Sequence, residues 1–166
     1  MDFAHRVPRM LHEEHMATVG MLNDLEDLLA RSGKTPPDTA DAPVAGTLGA
    51  VARVIGEEVH GHFAFEENEL FTRLAELGDE AIGQHLGEEH EAILPLGERV
   101  AAEARAALGD GFTPATWDGF RAGASELVER MMAHVQKEEM ALLPVLDDML
   151  DADTDFALCE LRGGQS

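Results

Sequence analysis

A chain of 166 residues with 45% apolar content is long enough for one globular domain with a substantial core. Its formal net charge of −21 repels phosphate backbones and anionic lipid headgroups, which argues against nucleic acid and membrane partners. No apolar run approaches a membrane span, the N-terminus lacks the apolar core of a secretory signal, and the single Cys159 makes no intramolecular disulfide, so a reduced cytoplasmic setting is expected.

Apolar periodicity predicts four long helices and an all-α fold. The first runs from about Pro8 to Ala30, with Leu11, Val19, Leu22, Leu25 and Leu29 on one stripe that also holds His15. Pro8 suits a first turn, where its missing N–H costs nothing. After a Gly/Pro-rich linker, the second helix runs from about Val44 to Leu77, with Val51, Ile55, Val59, Phe65, Leu70 and Leu74 inward. Gly78-Asp79 reads as a stop followed by an N-cap. The third helix covers about Glu80 to Leu108, and Pro95 inside it predicts a kink or break. Thr113-Pro114 is an N-cap and first-turn pair for a fourth helix ending near Leu150. Short loops on either side of the third helix favour antiparallel neighbours. The expected architecture is therefore an up-down-up-down four-helix bundle over residues 1–150, with a polar, loosely docked C-terminal tail over residues 151–166.

The chain says one thing twice. His62-Phe63-Ala64-Phe65-Glu66-Glu67, with Leu70 and Leu74 behind it, recurs 72 residues later as His134-Val135-Gln136-Lys137-Glu138-Glu139, with Leu142 and Leu146. Leu11-His12-Glu13-Glu14-His15-Met16-Ala17 recurs 75 residues later as Leu86-Gly87-Glu88-Glu89-His90-Glu91-Ala92. Residues four apart on a helix share a stripe, so His62 with Glu66 and His134 with Glu138 point the same way, in line with the apolar positions. His15 and His90 fall on the inward stripes of their own helices.

An ionised carboxylate buried without a partner costs several kcal/mol, and six polar groups at matched depth call for a compensating cation. The candidate metal ligands are His15, His62, Glu66, His90, His134 and Glu138. Four imidazoles and two carboxylates are the inventory of a two-metal site in a helical bundle. The repeat pairs His15 with His62 and His90 with His134, and each Glu can bridge. Two nitrogens and two oxygens per metal, with an oxo or hydroxo bridge as a fifth ligand, leave room for an exogenous molecule. Mixed imidazole and carboxylate ligation suits iron, manganese or zinc, and open positions favour a redox metal over a closed structural zinc. Glu14, Glu67, Glu89 and Glu139 lie off the ligand stripes, where they are solvated or support the ligands from behind. His12, one turn before His15, and His85, five residues before His90, are further candidates to face the cavity.

In this order and with these flanks, the chain resembles the hemerythrin-like, or HHE cation-binding, domains over about Met10 to Leu146. The resemblance implies a non-haem di-iron centre that handles dioxygen, peroxide or nitric oxide. Oxygen-carrying members have a second His one turn before the position of His90, where this chain has Leu86, and they end in His-x-x-x-x-Asp rather than His134-x-x-x-Glu138. The chain is thus similar to the six-ligand bacterial variety. Three functions follow as expectations: binding or sensing of small oxidants and gases, enzymatic consumption of peroxide or nitric oxide, and iron storage or donation. The small molecule is the expected partner, and any sensing output is expected to go through a separate protein.

Overall fold

The computed structural model describes residues 2–164. Among these the chain is an all-α helical bundle without a strand. It has five helical runs. The first is α1 (Arg6–Ser32). The second joins α2 (Ala42–Arg53), α3 (Val59–Phe65) and α4 (Phe71–Glu76) through two π-helical segments, Val54–Glu58 and Glu66–Leu70. The third is α5 (Glu80–Asp110). The fourth joins α6 (Pro114–Lys137) and α7 (Leu143–Met149) through a third π segment, Glu138–Leu142, and the fifth is α8 (Ala152–Gly163). No described helix is long and apolar enough to cross a membrane.

Local chemistry sets the ends. Gly33, Gly78 and Gly111 have positive φ and stop the helices before them, Gly78 with Asp79 N donating back to Leu74 O at 2.9 Å. Thr113 and Thr116 cap reciprocally: each hydroxyl accepts the other's backbone N–H, at 3.1 and 2.8 Å.

The break expected at Pro95 does not occur, and α5 runs through it. Pro95 lies on the exposed side of the helix, as does Glu91 one turn before it. Water can therefore serve the carbonyl that Pro95 leaves without a donor. Leu108 is exposed at the end of the same helix.

The chain forms two compact units. One takes in the residues up to Ala17, Gly61–His90 and those from Ala133 on. Its core is Phe3, Val7, Leu11, Phe65, Leu70, Phe71, Leu74, Leu86, Leu142, Leu143, Leu146, Leu150 and Leu158. The other takes in Thr18–His60 and Glu91–Met132. It buries Leu22, Leu25, Leu48, Val51, Ile55, Val100, Phe120 and Leu127, together with Trp117, whose indole N–H donates to Gly33 O at 2.9 Å.

The C-terminal segment departs from the loosely docked tail expected of it. It forms α8, capped by Asp151, whose carboxylate accepts from Thr154 N at 2.7 Å. Leu158 inserts into the core of the first unit. Asp155, also buried, accepts Arg6 N and Val7 N at 2.8 Å each. These are orphan donors of the first turn of α1, and an anion there also meets the positive end of the helix dipole. Polarity misled here, because Asp155 is a cap for a helix that begins 149 residues earlier.

Candidate metal centre

All six candidate ligands lie in one unit and all are buried, with Glu66, His90 and Glu138 at 0% exposure. His15 comes from α1, His62 from α3, His90 from α5 and His134 from α6. Glu66 and Glu138 each open a π segment. The π turns explain how the stripes stay inward. A step of four on an α-helix overshoots a full turn by about 40°, so three such steps would carry Leu74 about 120° away from His62. Yet His62, Glu66, Leu70 and Leu74 are all buried, as are His134, Glu138, Leu142 and Leu146. The wider turns of the two π segments wind the stripe back.

The six residues form two groups, His15, His62, Glu66, Glu138 and Glu66, His90, His134, Glu138, each with its ligand atoms all within 4.8 Å of one another. Glu66 and Glu138 belong to both. Every imidazole turns Nε2 toward the carboxylates. His15 Nε2 lies 2.7 Å from Glu138 Oε2, His134 Nε2 2.5 Å from Glu138 Oε1, and His90 Nε2 3.5 Å from Glu66 Oε2. His62 Nε2 abuts Glu66 Oε1.

The other ring nitrogens show a regularity that sequence alone did not reveal. Glu14 of α1 takes His62 Nδ1 (2.6 Å), and Glu67 of the second run takes His90 Nδ1 (2.8 Å). Glu89 of α5 takes His134 Nδ1 (2.9 Å), and Glu139 of the fourth run takes His15 Nδ1 (2.5 Å). The four carboxylates thus form a closed ring in which each helical run orients the imidazole of the next. Each Nδ1–H donates outward, which fixes the ring orientation and leaves Nε2 as the nitrogen that faces the two carboxylates. The signal in the sequence was the repetition of Glu beside each ligand, at 14 and 89 and at 67 and 139.

His12 is not among the six. Its Nδ1 lies 2.8 Å from Glu139 Oε2, on the outer side of the ring. His85 is exposed, 3.7 Å from Glu89 and 3.4 Å from Lys137 Nζ. Phe63 stacks on His90 with ring centroids 3.7 Å apart, and Phe71 lies over it at 5.7 Å. Gly83 permits this, since a Cβ there would fall 2.8 Å from Phe71 Cβ. Leu86 is buried in the apolar core one turn before His90.

The donor set fits a cation. Glu66 Oε1, Glu66 Oε2 and Glu138 Oε1 are buried with no hydrogen-bond partner beyond the imidazole Nε2 atoms beside them, which is costly unless positive charge faces them. Without metal, protons supply part of that charge. Burial alone would lower the pKa of His90, but Glu138, Glu66 and Glu67 reverse this and raise it to about 9. Against the same burial, Glu66, Glu138 and Glu14 hold His62 well above its usual range, and Glu138 and Glu139 raise His15. Burial would raise Glu138, yet the four imidazoles hold it well below the carboxylate range. The cluster is electrostatically built around positive charge.

Residues 6–146 match the family model of the hemerythrin HHE cation binding domain. Among curated proteins, no relative matches the chain.

Proposed function

Because the chain belongs to the hemerythrin HHE cation-binding domain family, we propose that it is a non-haem di-iron protein that binds or senses dioxygen, peroxide or nitric oxide. The observation that carries this reading is the sharing of Glu66 and Glu138 by two buried groups. Four imidazole nitrogens and four carboxylate oxygens divide into two equal sets. In this reading His15 and His62 would hold one ion and His90 and His134 the other, with Glu66 and Glu138 available to both. Iron held by such donors supplies two adjacent redox-active, Lewis-acidic positions for a small ligand.

The protein's own part is placement. Glu14, Glu67, Glu89 and Glu139 keep the four Nε2 atoms aimed inward. Leu86 leaves the protein donors at six, so the ions keep positions for an outside molecule. Phe63 and Phe71 cover His90 and keep water from its ring. A cytoplasmic setting and a small-molecule partner belong to the same reading, the first resting on composition and the second on the family.

The test is an optical titration of iron-loaded, anaerobically reduced protein with dioxygen, hydrogen peroxide and nitric oxide in turn. The expected result is a stoichiometric spectral change with at least one of them. Many turnovers of peroxide or nitric oxide without protein damage would make the protein an enzyme instead. Ready iron loss to a chelator with no spectral response would make it an iron store.

A further inference from the structure

The two halves of the repeat differ beside the site, and α8 fills the difference. In the second half of the repeat, Lys137 Nζ pairs with Glu89, the carboxylate that orients His134. Lys137 lies one residue before Glu138. The matching residue in the first half, one before Glu66, is Phe65. Glu14, the counterpart of Glu89, therefore has no cation at the repeat position. Its cation comes from α8: Arg162 Nε donates to Glu14 Oε1 at 3.1 Å, and Arg162 Nη2 lies 2.9 Å from the same oxygen. The guanidinium sits over the Phe65 ring, 5.9 Å from its centroid. A second exchange makes room. Where the second half has Ala133 before His134, the first has Gly61 before His62, and a Cβ on Gly61 would lie 3.2 Å from Arg162 Nη1.

We infer that Arg162 is a positioning residue for the His15/His62 half of the metal centre, acting through Glu14 on His62. Its side chain is only 11% exposed, and it makes a two-nitrogen contact to one carboxylate oxygen while covering an aromatic face. Glu14 is left with Oε2 for His62 Nδ1 and is held on its other side, so it cannot swing into solvent. The two halves then differ. One is braced by a lysine of the neighbouring helical run, and the other by an arginine from α8, which lies beyond the residues matched to the family. Arg162 is separable from the docking of α8, which rests on Leu158 and on the Asp155 cap of α1.

This assignment rests on the two-metal reading above, and its test keeps the two apart. Wild type, Arg162→Ala, Arg162→Lys, Gly61→Ala and Lys137→Ala are loaded anaerobically with ferrous iron and challenged with a chelator, and their cobalt(II) spectra are compared. Arg162→Ala should release one of its two ions roughly 10-fold faster, the low end of effects seen when support of a ligand is lost, with the other ion at the wild-type rate. The cobalt spectrum should change for one ion only. Arg162→Lys should restore most of the retention, and Gly61→Ala should give a weaker form of the same one-sided loss. Lys137→Ala should speed the other ion, so that the double variant speeds both. Wild-type release of both ions in Arg162→Ala, or equal acceleration of both, overturns the assignment. A wild-type protein that holds fewer than two ions overturns the two-metal reading, and this assignment with it.

Discussion

Glu139 accepts a 2.5 Å hydrogen bond from His15 Nδ1 across 124 residues of chain, and this contact closes the carboxylate ring around the four imidazoles. The ring changes how substitutions around the site should rank.

Glu66→Ala and Glu138→Ala each remove a ligand from both groups and should abolish tight metal binding. Glu139→Ala, like the same change at Glu14, Glu67 or Glu89, should weaken binding by about 10- to 100-fold, the usual effect of losing a carboxylate behind a metal-bound histidine. Exposed Glu13 lies outside the ring, and Glu13→Ala should leave binding unchanged. Competition against a chelator of known affinity gives the ranking. Equal affinity for Glu13→Ala and Glu139→Ala would show that the ring does not support the ligands.

The metal-free protein should lose stability as pH rises. His90 has a folded pKa of about 9 against an ordinary 6.5, so the folded state binds its proton more tightly than the unfolded chain. That stabilisation is fully present below about 6.5 and is lost as pH climbs toward 9. Melting temperature recorded in excess chelator should therefore fall across this window. A flat or rising profile would mean that the imidazolium–carboxylate contacts do not hold the empty site together. Metal uptake at neutral pH should also release protons, detectable with a pH indicator in weak buffer.

Asp155→Ala should destabilise the fold by about 1–2 kcal/mol, the typical loss on removing a helix cap, because Arg6 N and Val7 N lose their acceptor together. Asp155→Asn, which keeps one acceptor oxygen, should cost less. Thermal melts of the two variants decide this, and an unchanged Asp155→Ala would mean that α8 contributes nothing to the start of α1.

Much of this molecule is legible in its sequence. The four long helical stretches follow from periodicity, and the doubled His-x-x-x-Glu, together with His15 and His90 on the inward stripes of their own helices, brings the six candidate residues to one depth. What the sequence hides depends on contacts between distant segments or on departures from ideal helices. The π segments are implied by the run 62, 66, 70, 74 and its copy 134, 138, 142, 146, since a stripe kept by steps of four alone does not fit 3.6 residues per turn. The ring is obscured because Glu14, Glu67, Glu89 and Glu139 each serve the histidine of another helical run, and helical-wheel geometry on one helix does not locate such a partner. The C-terminal helix looks like a polar tail because Asp155 and Arg162 act at distant positions, on the α1 backbone and on Glu14.

The most direct measurement is an anaerobic titration of metal-free protein with ferrous iron, followed by elemental analysis of the desalted product. Glu66 and Glu138 each belong to both ligand groups, so the proposed centre should saturate at two ions per chain, and Glu66→Ala should lose both rather than one. Saturation at a single ion, or a Glu66→Ala variant that keeps one tightly bound ion, would contradict a centre built on two shared carboxylates.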